Sequence, residues 1–161
     1  MGPLQFGVPL VGRGGPIFEG GKDGKLMGAE AALEALSDTP ALRVTIDHAL
    51  CPYDMQSSAG VIRWRDAVRR MADRPNTFVK LSGFGMYDAG WTDSDWAPSC
   101  VALLLESFGA DRVMWGSNYP VESLATPYED AVLAVASWVP IPDREQVFLR
   151  SASDAYSLHL T

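Results

Sequence analysis

The chain has 161 residues, 47% of them hydrophobic, with 20 acidic against 13 basic side chains and a formal net charge of −7. This composition supports one domain with a buried core, and the acidic balance excludes the clustered Lys and Arg footprint that a phosphate backbone requires. No apolar run approaches the roughly 20 residues of a bilayer crossing, so no membrane association is expected.

The N-terminus "MGPLQFGVPL" lacks a secretory pattern, and Gly2 is followed by Pro3, which breaks the myristoylation pattern. Cys51 and Cys100 read as free thiols of a cytoplasmic protein rather than a disulfide framework. Residues 1–25 stand apart as an irregular, glycine-rich N-terminal segment, "GRGGPIFEGGKDGK". It matches no phosphate loop: Gly21-Lys22 runs into Asp23 instead of Ser or Thr. Ile17 also stands where the last glycine of a dinucleotide fingerprint belongs.

From residue 26 the pattern alternates. Leu26, Ala29, Leu33 and Leu36 share one helical face over 26–38, and Pro40 follows. "LRVTI" (42–46) is a β-branched strand. Val61, Trp64, Val68 and Met71 return to helical period over 60–74, and Pro75 ends it. Arg63, Arg65, Arg69 and Arg70 lie on that helix among Asp66 and Asp73 and read as a solvated face. "TFVKLSG" (77–83) is a second strand. A loop with Tyr87, Trp91 and Trp96 serves either as a pocket lid or as ordinary packing. "PSCVALLLESFG" (98–109) is a helix with Gly109 at its C-terminal cap, and "RVMWG" (112–116) is a third strand. A helix over 127–139 starts at Pro127, and a last one covers 143–158, where Asp143 and Gln146 have capping-box spacing.

Strands alternating with helices of this length mean βαβ units and a parallel sheet. Three strands leave two open edges and poor cover, which points to a piece of a larger α/β body. In such folds reactive groups sit just past the C-terminal strand ends. Here those ends read Asp47-His48, Lys80 with Ser82-Gly83, and Ser117-Asn118-Tyr119-Pro120. Asp47 reads as a structural residue pointing away from its neighbour His48. His48, Cys51 and Asp54 together lack the spacing of a metal signature. His159, near the chain end, reads as inert.

The phrases "VTIDHALCP", "RMADRPNTFVKLSGFG", "ESFGADRVMWGSNYPVES" and "VFLRSASDAYSL" resemble, in order and spacing, the C-terminal half of the amidohydrolase-related family. The family's members are TIM-barrel hydrolases that include lactonases. The resemblance implies an α/β fold of a particular kind: a partial (β/α)8, TIM-barrel-like architecture of C-terminal βα units with parallel strands, spanning 26–161. It implies hydrolysis of a lactone, ester or amide of a small carboxylated molecule. His48 matches the histidine of the family's Asp-His pair, which binds metal or holds a substrate carbonyl or carboxylate. Asn118 stands where the family usually carries an aspartate acting as general base or metal ligand. A carboxamide cannot take that proton, so its expected role is to orient water or substrate. Ser117, Tyr119 and Lys80 are the expected substrate-binding residues; Tyr119 either walls a pocket or packs, and Lys80 faces either outward or into the barrel.

The resemblance also implies a divalent metal, but the ligand set is incomplete, because the family's His-x-His is missing from a chain whose only histidines are His48 and His159. A whole barrel needs about 250 residues. The expected partners are therefore a small-molecule substrate and either the missing N-terminal half of the barrel or a second copy. The rival reading is a non-catalytic remnant or a small α/β binding module.

Overall fold

The computed structural model describes residues 17–18, 33–34, 36–38, 41–52, 55 and 57–158. Four parallel strands form one sheet in chain order: β1 (Ile17–Phe18), β2 (Val44–Ile46), β3 (Thr77–Leu81) and β4 (Val113–Trp115). Ile46 pairs with Val79, and Leu81 with Trp115, so the C-terminal tips of β2, β3 and β4 lie side by side. Three of these strands are those expected from their β-branched and apolar runs. The fourth, β1, lies in the glycine-rich segment and pairs Ile17 with Thr45. Two residues are too short to show a period, so no pattern reveals it. The rest of that segment, most of the helix expected over 26–38, and both Asp54 and His159 lie outside the described residues.

Among the described residues the α-helices that follow the strands include α1 (Ser58–Ala72), α2 (Trp96–Phe108), α3 (Tyr128–Trp138) and α4 (Ser151–Tyr156). Ser57 caps α1 by accepting from the Gly60 N–H at 2.9 Å, which satisfies one of the orphan donors of the first turn. Gly109 ends α2 at φ 76°, a conformation a side chain would resist. Pro127 sits one place earlier than expected, at the cap itself, with Tyr128 opening the helix. The expected capping box at 143–146 does not form. The Gln146 amide instead donates forward to Ser151 Oγ at 3.1 Å, because the chain winds as a wider π-helical turn (Gln146–Arg150) into α4.

The alternation of the strands separates two faces. Val44, Ile46, Val79, Leu81 and Val113 point to one side, where Trp64, Val68 and Met71 of α1 and Val101, Leu104 and Phe108 of α2 complete the main core. Each such side chain contributes about 1.5–3 kcal/mol on burial. Phe78 and Met114 point to the opposite side and are buried there against Ala155, with Ala152 and Tyr156 packed beside them. Poor cover is the expectation for a sheet of few strands; on this face α4 covers these two residues. Arg43 holds the helix end in place, with Nη1 donating to the Asp154 carbonyl at 2.7 Å and to Ser157 Oγ at 2.9 Å.

Arg112 ties the layers together where β4 begins. Its Nε donates to the Phe108 carbonyl at 3.0 Å, and Nη1 to the carbonyls of Ala72 at 3.0 Å and Arg74 at 2.9 Å. The last carbonyls of α1 and α2 thus share one guanidinium, and charge-assisted bonds of this kind are worth about 1.5–3 kcal/mol. Arg112→Ala is expected to lower stability by about 2–3 kcal/mol in urea unfolding. Arg112→Lys should restore little of this, since one ammonium cannot serve both helix ends.

Candidate functional site

His48 leaves β2 in a left-handed turn: φ is 55° at His48, 54° at Ala49, 58° at Leu50 and 52° at Cys51. Four consecutive non-glycine residues in this region are costly, and contacts from other elements hold them there. The Trp64 indole N–H donates to the Ala49 carbonyl at 3.0 Å, and the Tyr87 hydroxyl to the His48 carbonyl at 3.4 Å. The imidazole reaches across to β3, where His48 Nδ1 lies 3.0 Å from Ser82 Oγ. The His48 backbone N–H donates to the same hydroxyl at 3.3 Å. Gly83 is what lets the ring come so close. Its φ is 69°, and a Cβ there would fall 2.5 Å from His48 Nδ1.

The tip of β4 lies on the other flank of Ser82. The Gly116 N–H extends the ladder to the Leu81 carbonyl at 3.1 Å, and a Cβ on Gly116 would lie 3.5 Å from Ser82 Cβ. Asn118 adopts φ 50°, which asparagine tolerates better than most residues. Its Nδ2 donates to Met86 Sδ at 3.4 Å. Met86 and Tyr87 are consecutive residues of the loop after β3, so His48 and Asn118 are anchored to adjacent points of one loop. The structure thereby gathers His48, Ser82, Gly116, Ser117 and Asn118 at one end of the sheet. Tyr119 stands at the rim, 67% exposed, with its ring edge-on to Tyr128 at 6.4 Å.

Lys80 lies on the sheet face opposite the main core. Its Nζ is 2.6 Å from Asp47 Oδ1 and 5.5 Å from the centre of the Tyr156 ring. Asp47 thus holds structure, as its neighbourhood to His48 suggests. Burial pulls the Lys80 pKa down, but the Asp47 hydrogen bond, Tyr156 and the Asp47 charge outweigh it and leave the ammonium above its ordinary value. A raised lysine pKa stabilises the fold fully below the ordinary lysine range and loses that contribution as pH rises through the folded value. The stability gap between the native chain and Lys80→Met should therefore persist at neutral pH and shrink only in strong alkali, as read from urea midpoints.

In the loop expected as either lid or packing, Trp91 and Trp96 pack while Tyr87 reaches His48. Trp91 is buried, donates to Thr126 Oγ1 at 2.8 Å and packs with its ring centre 5.1 Å from that of Phe84. Trp96 donates to Asp88 Oδ2 at 3.0 Å. Cys51 and Cys100 are free, and burial raises both thiols above their ordinary pKa, which argues against a reactive thiolate at either.

Neither a role for Ser82 nor the importance of Glu122 is legible in the sequence. Glu122 is 6% exposed, and its Oε1 accepts from the Gly85 N–H at 2.8 Å, bracing the loop after β4 against the loop after β3. Its Oε2 has no hydrogen-bond partner among the described residues. Glu122 borders a cavity of about 10 Å³ together with Ser82, Gly116 and Ser117. A single charge in a loop gives no periodic signal, and Ser82 meets His48 only through strand register.

The sequence matches the family described as Amidohydrolase over residues 15–158. The chain belongs to the amidohydrolase family. It is 30% identical over 129 residues to the L-fucono-1,5-lactonase of Burkholderia multivorans, covering 71% of this chain and 43% of the lactonase. It is also 30% identical over 130 residues to the protein y4mH of Sinorhizobium fredii, covering 79% of this chain and 43% of that one. Among solved structures, an amidohydrolase of Burkholderia multivorans with bound zinc superposes with a TM-score of 0.76 at 24% identity, over 89% of this chain and 53% of that one. The fold is therefore part of an amidohydrolase TIM barrel, and the chain spans less than half the length of the curated relatives it matches. The residues gathered here do not fit a zinc site. No group of three His, Cys, Asp or Glu side chains converges among the described residues, and one imidazole with neutral hydroxyls and a carboxamide is not a zinc donor set.

Gly83→Ala tests the assembly of this end. The strained φ and the contact with the imidazole should together lower stability by about 1–3 kcal/mol and push His48 off Ser82. Urea unfolding would show the first effect, and a displaced His48 ring resonance the second.

Proposed function

We propose that this chain is the C-terminal half of a cytoplasmic amidohydrolase-family enzyme that hydrolyses a lactone, ester or amide of a small carboxylated molecule. The observation that carries the reading is the common anchoring of His48 and Asn118 by Met86 and Tyr87 at the C-terminal strand tips, where barrel enzymes hold their chemistry. The 30% identity to a sugar lactonase favours a lactone as the substrate class. His48 binds or polarises the carbonyl, and Asn118 orients water or substrate by hydrogen bonding. Ser117 and Tyr119 line the approach, while Lys80, held by Asp47, bears on substrate through the sheet face it braces. The carboxamide of Asn118 cannot accept the proton of an attacking water, so the general base comes from barrel units beyond these residues, brought by a partner segment or a second copy.

The monodisperse 17.4 kDa species is expected to hydrolyse L-fucono-1,5-lactone no faster than buffer. A robust rate from that species, with mass fixed by light scattering, would contradict the need for further barrel units.

The neutral side chain at 118 favours a second reading, a non-catalytic binding or assembly module. Asn118→Asp separates the two. Under the hydrolase reading, restoring the carboxylate raises lactone hydrolysis in any assembled form. If neither the native chain nor the Asn118→Asp variant hydrolyses lactone in any association state, the module reading stands.

A further inference from the structure

Ser82 lies 5% exposed between His48 and Gly116. Its hydroxyl has one proton to give and two lone pairs to fill. One lone pair takes the His48 backbone N–H at 3.3 Å. Among the described residues, the remaining polar atom in reach of the hydroxyl is His48 Nδ1, at 3.0 Å. A buried O–H left without an acceptor loses about 1–3 kcal/mol. The arrangement that satisfies the Ser82 hydroxyl has Ser82 donating its proton to Nδ1 while accepting from the backbone N–H. Nδ1 then uses its lone pair, and the neutral ring must carry its own proton on Nε2.

We infer that Ser82 is a positioning residue that fixes His48 as the Nε2–H tautomer, so that the imidazole serves the site as a hydrogen-bond donor to a carbonyl or carboxylate oxygen and not as a base. This rests on the proposed hydrolase reading for its purpose, but not for its chemistry. A neutral donor matches a substrate oxygen that gains negative charge as water adds to the carbonyl. Gly83 belongs to the same device, since only a residue without Cβ lets the ring settle against Ser82. The turn at 48–51, held by Trp64 and Tyr87, fixes the ring from the other side.

The chain contains two histidines, so long-range proton–nitrogen correlation spectra of 15N-labelled protein resolve both rings, and His159→Gln assigns them. The spectra are recorded on the full chain at a pH where imidazole is neutral. The expected result for His48 is a single tautomer, with a bare, hydrogen-bonded Nδ1 and a protonated Nε2. In Ser82→Ala the Nδ1 signal should move toward that of a rapidly exchanging tautomer mixture, and Ser82→Thr, which keeps the hydroxyl, should restore the native signal. A proton on Nδ1 in the native chain would overturn the inference. So would a native His48 spectrum in a folded Ser82→Ala. Should Ser82→Ala fail to fold, the native spectrum and Ser82→Thr still decide. Because no readout depends on turnover, the expected tautomer in a protein whose native and Asn118→Asp forms are inactive in every association state would sink the hydrolase reading alone.

Discussion

Parallel pairing of three short strands is the constraint on which the molecule rests. Ile46 beside Val79 and Leu81 beside Trp115 fix the register. A slip of one residue in β3 would turn Val79 and Leu81 out of the core and Ser82 away from His48, because side chains alternate strictly along a strand. Burial of one face therefore dictates the geometry at the tips. The same apolar contacts that stabilise the sheet against α1 and α2 aim Ser82 between the tips of β2 and β4.

The tips themselves depend on what is missing from glycine. Gly83 leaves space that the His48 ring uses, and Gly116 continues the ladder beside Ser82 through its N–H to the Leu81 carbonyl. Around them, neutral groups dominate. The charged side chains closest in sequence to the site are committed elsewhere: Asp47 to Lys80, and one oxygen of Glu122 to the loop backbone at Gly85. The result is an end of the sheet that can donate and orient hydrogen bonds, with a carboxamide and not a carboxylate at position 118.

Much of this was legible in the chain. The β-branched runs at 42–46 and 77–81, and the helical spacing of Trp64, Val68 and Met71, announce elements because burial imposes a period on them. The motif "RVMWGSNYPV" likewise announces a strand that ends in small and polar residues. What stayed hidden depends on contacts between distant residues. His48 and Ser82 are 34 positions apart and meet only through register. Glu122 and Gly85 are 37 apart and meet through two irregular loops. The β1 strand is too short for any pattern, and the wide turn at 146–150 arises from how the last helix bends onto the sheet rather than from a local sequence signal.

The placement of α4 has a consequence for any segment that would pack on this face of the sheet. Phe78 and Met114 already lie beneath Ala155, and Arg43 pins the helix end down. Such a segment would compete with an internal occupant. Its apparent affinity is its intrinsic one scaled down by the fraction of molecules in which the helix has swung clear.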